Sequence, residues 1–272
     1  MIYAILGALV VGLALGVFGS GGSILTVPLL IYLLHHEDKV AIAEALGIVG
    51  SIALVSAVPY ARAKLVDWRT ALIFGGPGMV GTFFGAWIAA FVPGYVQLFV
   101  FAGVMLIASV QMWRRSRRDD GSAPTPHVAK RSVLKIGADG LAVGMLTGFV
   151  GVGGGFLIVP TLVLLSGLSM RRAVATSLVI IALNSATGFW KHLDVLSGLD
   201  VSIDWGTVGL FVLVGIIGSL GGNALHTRIN QHTLQRGFAV FLVVMAVFIV
   251  VKEGMALAAP EGPGVSTEII HE

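Results

Sequence analysis

Residues 16–28 read GVFGSGGSILTVP, and residues 148–160 read GFVGVGGGFLIVP. Four glycines and the closing Val-Pro pair of the first stretch recur in the second at a constant spacing of 132 residues. Both stretches lie in apolar sequence, where glycine runs followed by a proline are typical of broken transmembrane helices. The chain is therefore most simply interpreted as a duplicated unit.

The composition is that of a membrane protein. Hydrophobic residues make up 56% of the chain and charged residues only 11%, whereas an ordinary soluble domain has roughly 25% charged residues. The uncharged stretches 72–106 and 206–225 exceed the ~18 residues that suggest a membrane span. The chain has no cysteine, which excludes disulfides and thiolate metal sites. Residues 2–18 have no positive charge ahead of them and no cleavage site, so we expect them to be retained.

Apolar runs between polar breaks predict five segments in each half of the chain. They are 2–18, 22–34, 40–60, 70–91 and 95–113, then 136–150, 155–168, 171–190, 206–226 and 237–251. The first two of each half are short for a perpendicular span, so each pair is either a re-entrant hairpin or one broken helix. The predicted fold is an all-α polytopic membrane protein with 8–10 membrane segments. Its predicted parts are the repeats 1–113 and 136–254, a basic linker at 114–135 and a flexible tail at 255–272.

Charge predicts the orientation of the two repeats. The linker is rich in Lys and Arg, which places it in the cytoplasm and makes it a topology determinant rather than a nucleic-acid or lipid-binding segment. If the repeats are inverted, only Lys39, Lys191 and Lys252 of the 17 basic residues face outward. Parallel repeats, with four crossings each, place five basic residues outside. The inverted arrangement is therefore favoured, and the sequence does not specify an oligomeric state.

The two Gly-rich cores are the predicted ligand site. They comprise Gly19, Ser20, Gly21, Gly22 and Ser23 in the first repeat and Gly151, Gly153, Gly154 and Gly155 in the second. A helix break in hydrocarbon persists only where it is buried in protein or lines a polar cavity, and free amides at a helix N-terminus bind anions. Pro28 and Pro160 are predicted to break the following segments. Outside the two cores, four glycine pairs indicate close helix packing instead: Gly12 with Gly16, Gly81 with Gly85, Gly144 with Gly148, and Gly218 with Gly222.

Several polar residues lie within the apolar segments. Glu44 is a candidate for proton coupling or an interfacial residue, and its counterpart in the second repeat is Thr176. Thr176, Ser177 and Asn184 are candidate substrate ligands, with hydrogen bonding between helices as the alternative. Lys191 and His192 end an apolar run and are expected to be solvated or to snorkel toward the interface rather than to act in catalysis. Adjacent histidines such as His35 and His36 seldom chelate one ion from a tight turn, and no zinc spacing, catalytic triad or Walker loop is present. We therefore predict no metal, no cofactor and no enzymatic activity.

The repeated Gly-Pro pattern, followed by Ala173, Ala175, Thr176, Ser177 and Leu178, resembles the TauE/SafE family of membrane permeases over nearly the whole chain. The resemblance implies an inner-membrane exporter of sulfite or organosulfonates built from two homologous halves. In the first half the corresponding residues are Ala43, Glu44, Ala45 and Leu46, a departure from the family pattern. Our hypothesis is alternating access around backbone amides, driven by the membrane potential or by protons. The alternatives are an anion channel, a cation carrier that uses Glu44, and a membrane scaffold without transport.

Overall fold

The computed structural model describes residues 2–118, 132–150, 155–164, 166–197, 202–226 and 229–258, and in these residues the regular structure is helical. The helices are α1 (Ile2–Phe18), α2 (Gly21–Pro28), α3 (Asp38–Arg62), α4 (Trp68–Ala89), α5 (Gly94–Arg118), α6 (Val133–Val150), α7 (Gly155–Leu164), α8 (Met170–Ser197), α9 (Trp205–His226) and α10 (Gln231–Ala258). A π-helical turn, Leu29–Leu33, continues α2. Most of the linker and of the C-terminal tail lies outside the described residues.

Six of the described helices are long and apolar enough to cross a membrane. They are Lys39–Arg62, Trp68–Ala89, Tyr95–Arg114, Val133–Val150, Met170–Asp194 and Trp205–Leu225. Ile2–Phe18 and Gly21–Leu33 are apolar but shorter. The prediction of an all-helical polytopic membrane protein is confirmed, while the number of 8–10 membrane segments stays a prediction.

The centre of the molecule is the crossing of α3 with α8. Of the apolar window in each spanning helix, 72% is buried in α3 and 61% in α8, against 33–44% in the other four. Gly47 of α3 lies against Phe189, and Gly50 lies against Ser185. Residue numbers rise along α3 as they fall along α8, so the two helices run antiparallel.

Glycine stripes bring a second pair of helices together on each side of this crossing. A Cβ built on Gly12 of α1 would overlap the carbonyl oxygen of Gly215 of α9, and one on Gly16 would overlap that of Ser219. Three glycines of α6 meet α4 in the same way: Gly140 at Phe74, Gly144 at Gly78 and Gly148 at Thr82. The glycines predicted to serve close packing therefore do so, and both pairs of helices run parallel.

The helix contacts follow the same pattern in the two halves of the chain. α1 packs along α9 as α6 packs along α4, and α3 contacts α9 as α8 contacts α4. α5 packs against α10, its counterpart in the other half. Each half therefore completes its packing with helices of the other half.

The end of α8 differs from the sequence-based expectation. The apolar run ends at Trp190, but α8 continues to Ser197 and contains both Lys191 and His192. His192 is buried, with 7% of its surface exposed, which differs from the solvated or snorkelling position that its sequence predicts. The helix continues because Asp194 pairs with Lys191 at 2.6 Å and Leu196 packs against Val40 and Ala43 of α3.

Candidate functional site

The first Gly-rich core is a sharp, buried break between α1 and α2. The Gly19 amide donates to the Leu15 carbonyl at 2.8 Å and so closes α1. Gly19 has a φ of +72°, in the left-handed region that favours glycine. A Cβ at Gly19 would lie 2.8 Å from a Val174 methyl and 2.9 Å from Ser177 Oγ. The break is therefore packed directly against the first turns of α8.

The N-terminus of α2 has no side-chain cap. Ser20 occupies the N-cap position, but its side chain makes no cap hydrogen bond, and Ser23 Oγ donates to the Ser20 carbonyl at 2.7 Å. The first amides of a helix have no acceptor within the helix. The positive end of α2 is thus buried inside the protein with its first-turn donors uncapped, which is the arrangement that suits a bound anion.

The hydroxyl group of Ser20 also lacks a hydrogen-bond partner among the described residues. The Ser20 side chain is fully buried. Leaving a buried hydroxyl unpaired costs about 1–3 kcal/mol. Such a cost at the tip of a helix break is consistent with a group held for a ligand.

Two of the candidate ligands on α8 lie near this break but have other bonds. Ser177 is adjacent to Gly19, and its hydroxyl donates to the Val174 carbonyl at 2.8 Å. Thr176 Oγ1 accepts the backbone N–H of Asp67 at 3.0 Å, so it faces the loop before α4. The structure therefore brings Ser177 to the Gly-rich core and turns Thr176 toward the α3–α4 connection.

Asn184 lies apart from the break. It is seven residues beyond Ser177 on α8, about 10 Å along the helix axis at 1.5 Å per residue. Its side chain is fully buried, and neither Nδ2 nor Oδ1 has a hydrogen-bond partner among the described residues. A Cβ on Gly78 of α4 would lie 3.2 Å from both atoms. Asn184 therefore faces α4, two turns of α8 away from Ser177, and its sharing of a site with Gly19–Ser23 stays a prediction.

The second Gly-rich core is described only in part. Gly151, Gly153 and Gly154 lie outside the described residues, and Gly155 is the first residue of α7.

The two prolines that were predicted to break helices have different positions in the structure. Pro28 is the last α-helical residue before the π-helical turn. Pro160 lies within α7, which continues to Leu164.

Glu44 lies at the opposite end of the helix crossing. It is in the second turn of α3, fully buried, and because α3 and α8 are antiparallel it is far from Gly19 and Ser177. Its Oε2 is 2.6 Å from His36 Nδ1, and its Oε1 accepts the Asp204 backbone N–H at 2.9 Å. Glu44 therefore connects the loop before α3 to the start of α9 in the other repeat.

The Glu44–Asp204 bond and the Thr176–Asp67 bond are equivalent by the repeat. Asp67, just before α4, donates its backbone N–H to Thr176 of α8. Asp204, just before α9, donates its backbone N–H to Glu44 of α3. The carboxylate of Asp204 also caps α9, and hydrogen bonds from the Thr207 hydroxyl and amide hold its pKa below the ordinary value. Sequence reasoning missed this pairing, although Glu44 and Thr176 are related by the spacing of 132 residues and the Asp-Trp pairs at Asp67 and Asp204 by a spacing of 137.

Other polar residues in the spans join helices. Ser56 Oγ hydrogen-bonds to Ser219 Oγ of α9 and to the Ile52 carbonyl. Tyr60 donates to the Gly16 carbonyl at 3.0 Å. These bonds connect α3 to α1 and α9. They match the role of hydrogen bonding between helices rather than ligand binding.

Known proteins with sequences similar to this chain are described as probable membrane transporters. A probable membrane transporter protein of Xylella fastidiosa is 31% identical over 260 residues, covering 92% of this chain and 94% of the relative. The probable membrane transporter protein YunE of Bacillus subtilis is 30% identical over 271 residues, covering 88% and 93%. A probable membrane transporter protein of Methanocaldococcus jannaschii is 24% identical over 250 residues, covering 88% and 91%. No solved structure matches the chain. The profile of the family described as Sulfite exporter TauE/SafE matches residues 4–249, and with six helices able to span a membrane this chain is a membrane transporter that belongs to that family.

Proposed function

We propose that this protein is a secondary transporter that exports small oxyanions, such as sulfite or organosulfonates, across the inner membrane. The observation that carries the proposal is the buried, uncapped N-terminus of α2 beside Ser177. Backbone amides at the positive end of a helix donate hydrogen bonds to an anion and offer nothing to a cation. The ligand that suits this site is therefore a small anion with several oxygen atoms that accept hydrogen bonds.

The second core, residues 151–155, is proposed to act in the same way from the other side. The antiparallel crossing of α3 with its counterpart α8 supports inverted repeats. A two-fold axis exchanges two antiparallel helices only if it is perpendicular to them, and such an axis lies in the plane of the membrane. Inversion directs the two Gly-rich breaks to opposite faces of the membrane. The basic linker is proposed to be cytoplasmic, which places the Gly19 break toward the cytoplasm.

The driving force is proposed to be the membrane potential, with protons as a second source. An inside-negative potential favours the exit of an anion by about 2.3 kcal/mol per charge per 100 mV, so export needs no coupled ion. Glu44 is the candidate proton carrier. Its bonds to His36 and Asp204 place it away from the amides of α2, so it would act on the conformation rather than on the anion.

The test is flux of labelled sulfite in proteoliposomes that contain the purified protein. We expect saturable flux that is lost in Gly21→Val and Gly153→Val. Gly76→Val is the matched control, since a Cβ at Gly76 meets nothing within 4 Å. Ser20→Ala is the milder variant, because it removes only an unpaired hydroxyl and leaves the fold intact.

The outcomes separate the alternatives. Flux that does not saturate indicates a channel. Saturable sulfite flux that is unchanged in Gly21→Val, Gly153→Val and Ser20→Ala shows that the anion binds elsewhere than at these amides. No flux of any tested anion, from a well-folded protein, contradicts the proposed function.

A further inference from the structure

We propose that Asn184, Ser185 and Thr82 form a second binding site for the transported oxyanion, midway across the membrane and separate from the Gly19–Ser23 break. The identity of the ligand rests on the proposed function. The site rests on three side chains that are 0%, 0% and 1% exposed. The Asn184 amide, Ser185 Oγ and Thr82 Oγ1 all have no hydrogen-bond partner among the described residues.

The three side chains lie in one region of the fold. Asn184 and Ser185 are at the midpoint of α8, and Ser185 lies against Gly50, the midpoint of α3. The midpoints of the two most buried helices therefore cross where these side chains are placed. Transporters built from internal repeats bind their substrates at this depth, between the repeats.

Thr82 reaches this region from α4. Gly78 of α4 lies against Asn184, and Thr82 lies against Gly188, where a Cβ would be 3.3 Å from Thr82 Cγ2. Gly78 to Thr82 is one helical turn on α4, and Asn184 to Gly188 is one turn on α8. The Thr82 hydroxyl is therefore one turn from the Asn184 amide along the same helix interface.

The pseudo-symmetric positions in the other repeat show that repeat packing does not require these polar groups. The counterparts of Asn184 and Ser185 are Ile52 and Ala53, both apolar and buried. The counterpart of Thr82 is Ser219, whose hydroxyl is bonded to Ser56. The same helix crossing is thus built once without unpaired polar groups and once with three of them.

The chemistry of the three groups suits an anion. The Asn184 amide nitrogen and the two hydroxyls can each donate a hydrogen bond, and none of the three carries a charge. An oxyanion accepts hydrogen bonds only. Neutral donors bind it weakly enough for release, which a site on a transport path requires.

The test combines unfolding with transport. Asn184→Leu, Ser185→Ala and Thr82→Val are compared with the control Ser219→Ala, which breaks a formed bond in the equivalent place. Without ligand, we expect the three site variants to unfold at the wild-type temperature or above, because no bond within the protein is lost. We expect Asn184→Leu to raise KM for sulfite at least tenfold. Ser219→Ala should lower the unfolding temperature and keep the wild-type KM.

Each result of these measurements either supports or overturns the proposed second site. A wild-type KM in Asn184→Leu overturns the site, and so does a lowered unfolding temperature, which would show that the amide is bonded within the protein. If the wild type carries no sulfite, the proposed function fails while the unfolding comparison still decides the site: an unchanged or raised temperature for Asn184→Leu supports it. Stabilisation of the wild type by sodium relative to choline, without any by sulfite, would indicate a cation site and overturn the proposal.

Discussion

At the scale of single residues, Glu44 and Thr176 occupy equivalent positions but differ in chemistry. Both accept the backbone N–H of an aspartate that begins a helix in the other repeat, Asp204 and Asp67 respectively. Only Glu44 can also take up a proton, and only Glu44 contacts a histidine, His36. The two otherwise equivalent connections therefore differ in their response to pH.

We predict that Glu44→Thr separates the structural role of this residue from its role in coupling. A threonine hydroxyl can accept the Asp204 N–H as Thr176 accepts that of Asp67, so the variant should fold. Glu44→Leu leaves that N–H unpaired and should lose about 1–3 kcal/mol of stability. If Glu44 carries the coupled proton, anion flux in Glu44→Thr should no longer respond to a pH gradient across the liposome. A wild-type response in a folded Glu44→Thr protein would exclude Glu44 from coupling.

The sequence identified the residues of these connections but not their contacts. Glu44 and Thr176 stood out as polar residues in apolar segments, and Asp67 and Asp204 as matched landmarks. The bonds that join them span 109 and 160 residues of sequence. Only the packing of one repeat against the other brings such distant groups together, and hydrophobic periodicity carries no record of it. The same applies to Thr82, whose significance depends on lying beside α8.

At the scale of helices, the apolar runs predicted the elements closely because a helix in a membrane must satisfy its own backbone. The run at 2–18 matches α1 (Ile2–Phe18), and the run at 206–226 matches α9 (Trp205–His226) to within a residue. Agreement fails where a helix continues past its apolar stretch, as α8 does through Lys191. The polarity of a residue limits its membrane depth but not the length of the helix that carries it.

Glycine substitutions should have opposite effects at the contact of α6 with α4 and on the exposed face of α4. Gly144→Ala places a methyl group in the Gly78 carbonyl oxygen, so α4 and α6 must separate, and we expect a loss of about 1–3 kcal/mol. Gly76→Ala meets nothing within 4 Å and should gain about 0.5–1 kcal/mol from reduced backbone entropy. Thermal unfolding in detergent measures both, and Gly12→Ala, the counterpart of Gly144→Ala, provides a replicate. Equal stability of the Gly144 and Gly76 variants would show that the glycine stripe does not set the helix spacing.

At the scale of the whole molecule, the distribution of charge distinguishes only slightly between inverted and parallel repeats. Inverted repeats place 14 of the 17 basic residues inside and parallel repeats place 12, a small difference. The helix contacts add independent support, because α3 and α8 cross antiparallel and the Asp67–Thr176 bond joins the α3–α4 loop to the first turns of α8. Lys64 in that loop and Ser169 before α8 are therefore expected on one side of the membrane.

Single cysteines test this arrangement, since the natural chain has none. Lys64→Cys, Ser169→Cys and Glu37→Cys each place one thiol at an exposed position. With inverted repeats and a cytoplasmic linker, a membrane-impermeant thiol reagent should label Glu37→Cys in intact cells, and should label Lys64→Cys and Ser169→Cys only after permeabilisation. Parallel repeats place Lys64 inside and both Glu37 and Ser169 outside, so labelling of Glu37→Cys and Ser169→Cys in intact cells, without Lys64→Cys, would reject inversion. Labelling of both Lys64→Cys and Ser169→Cys from outside, without Glu37→Cys, would keep the inversion and reverse the whole protein, moving the Gly19 break to the external face.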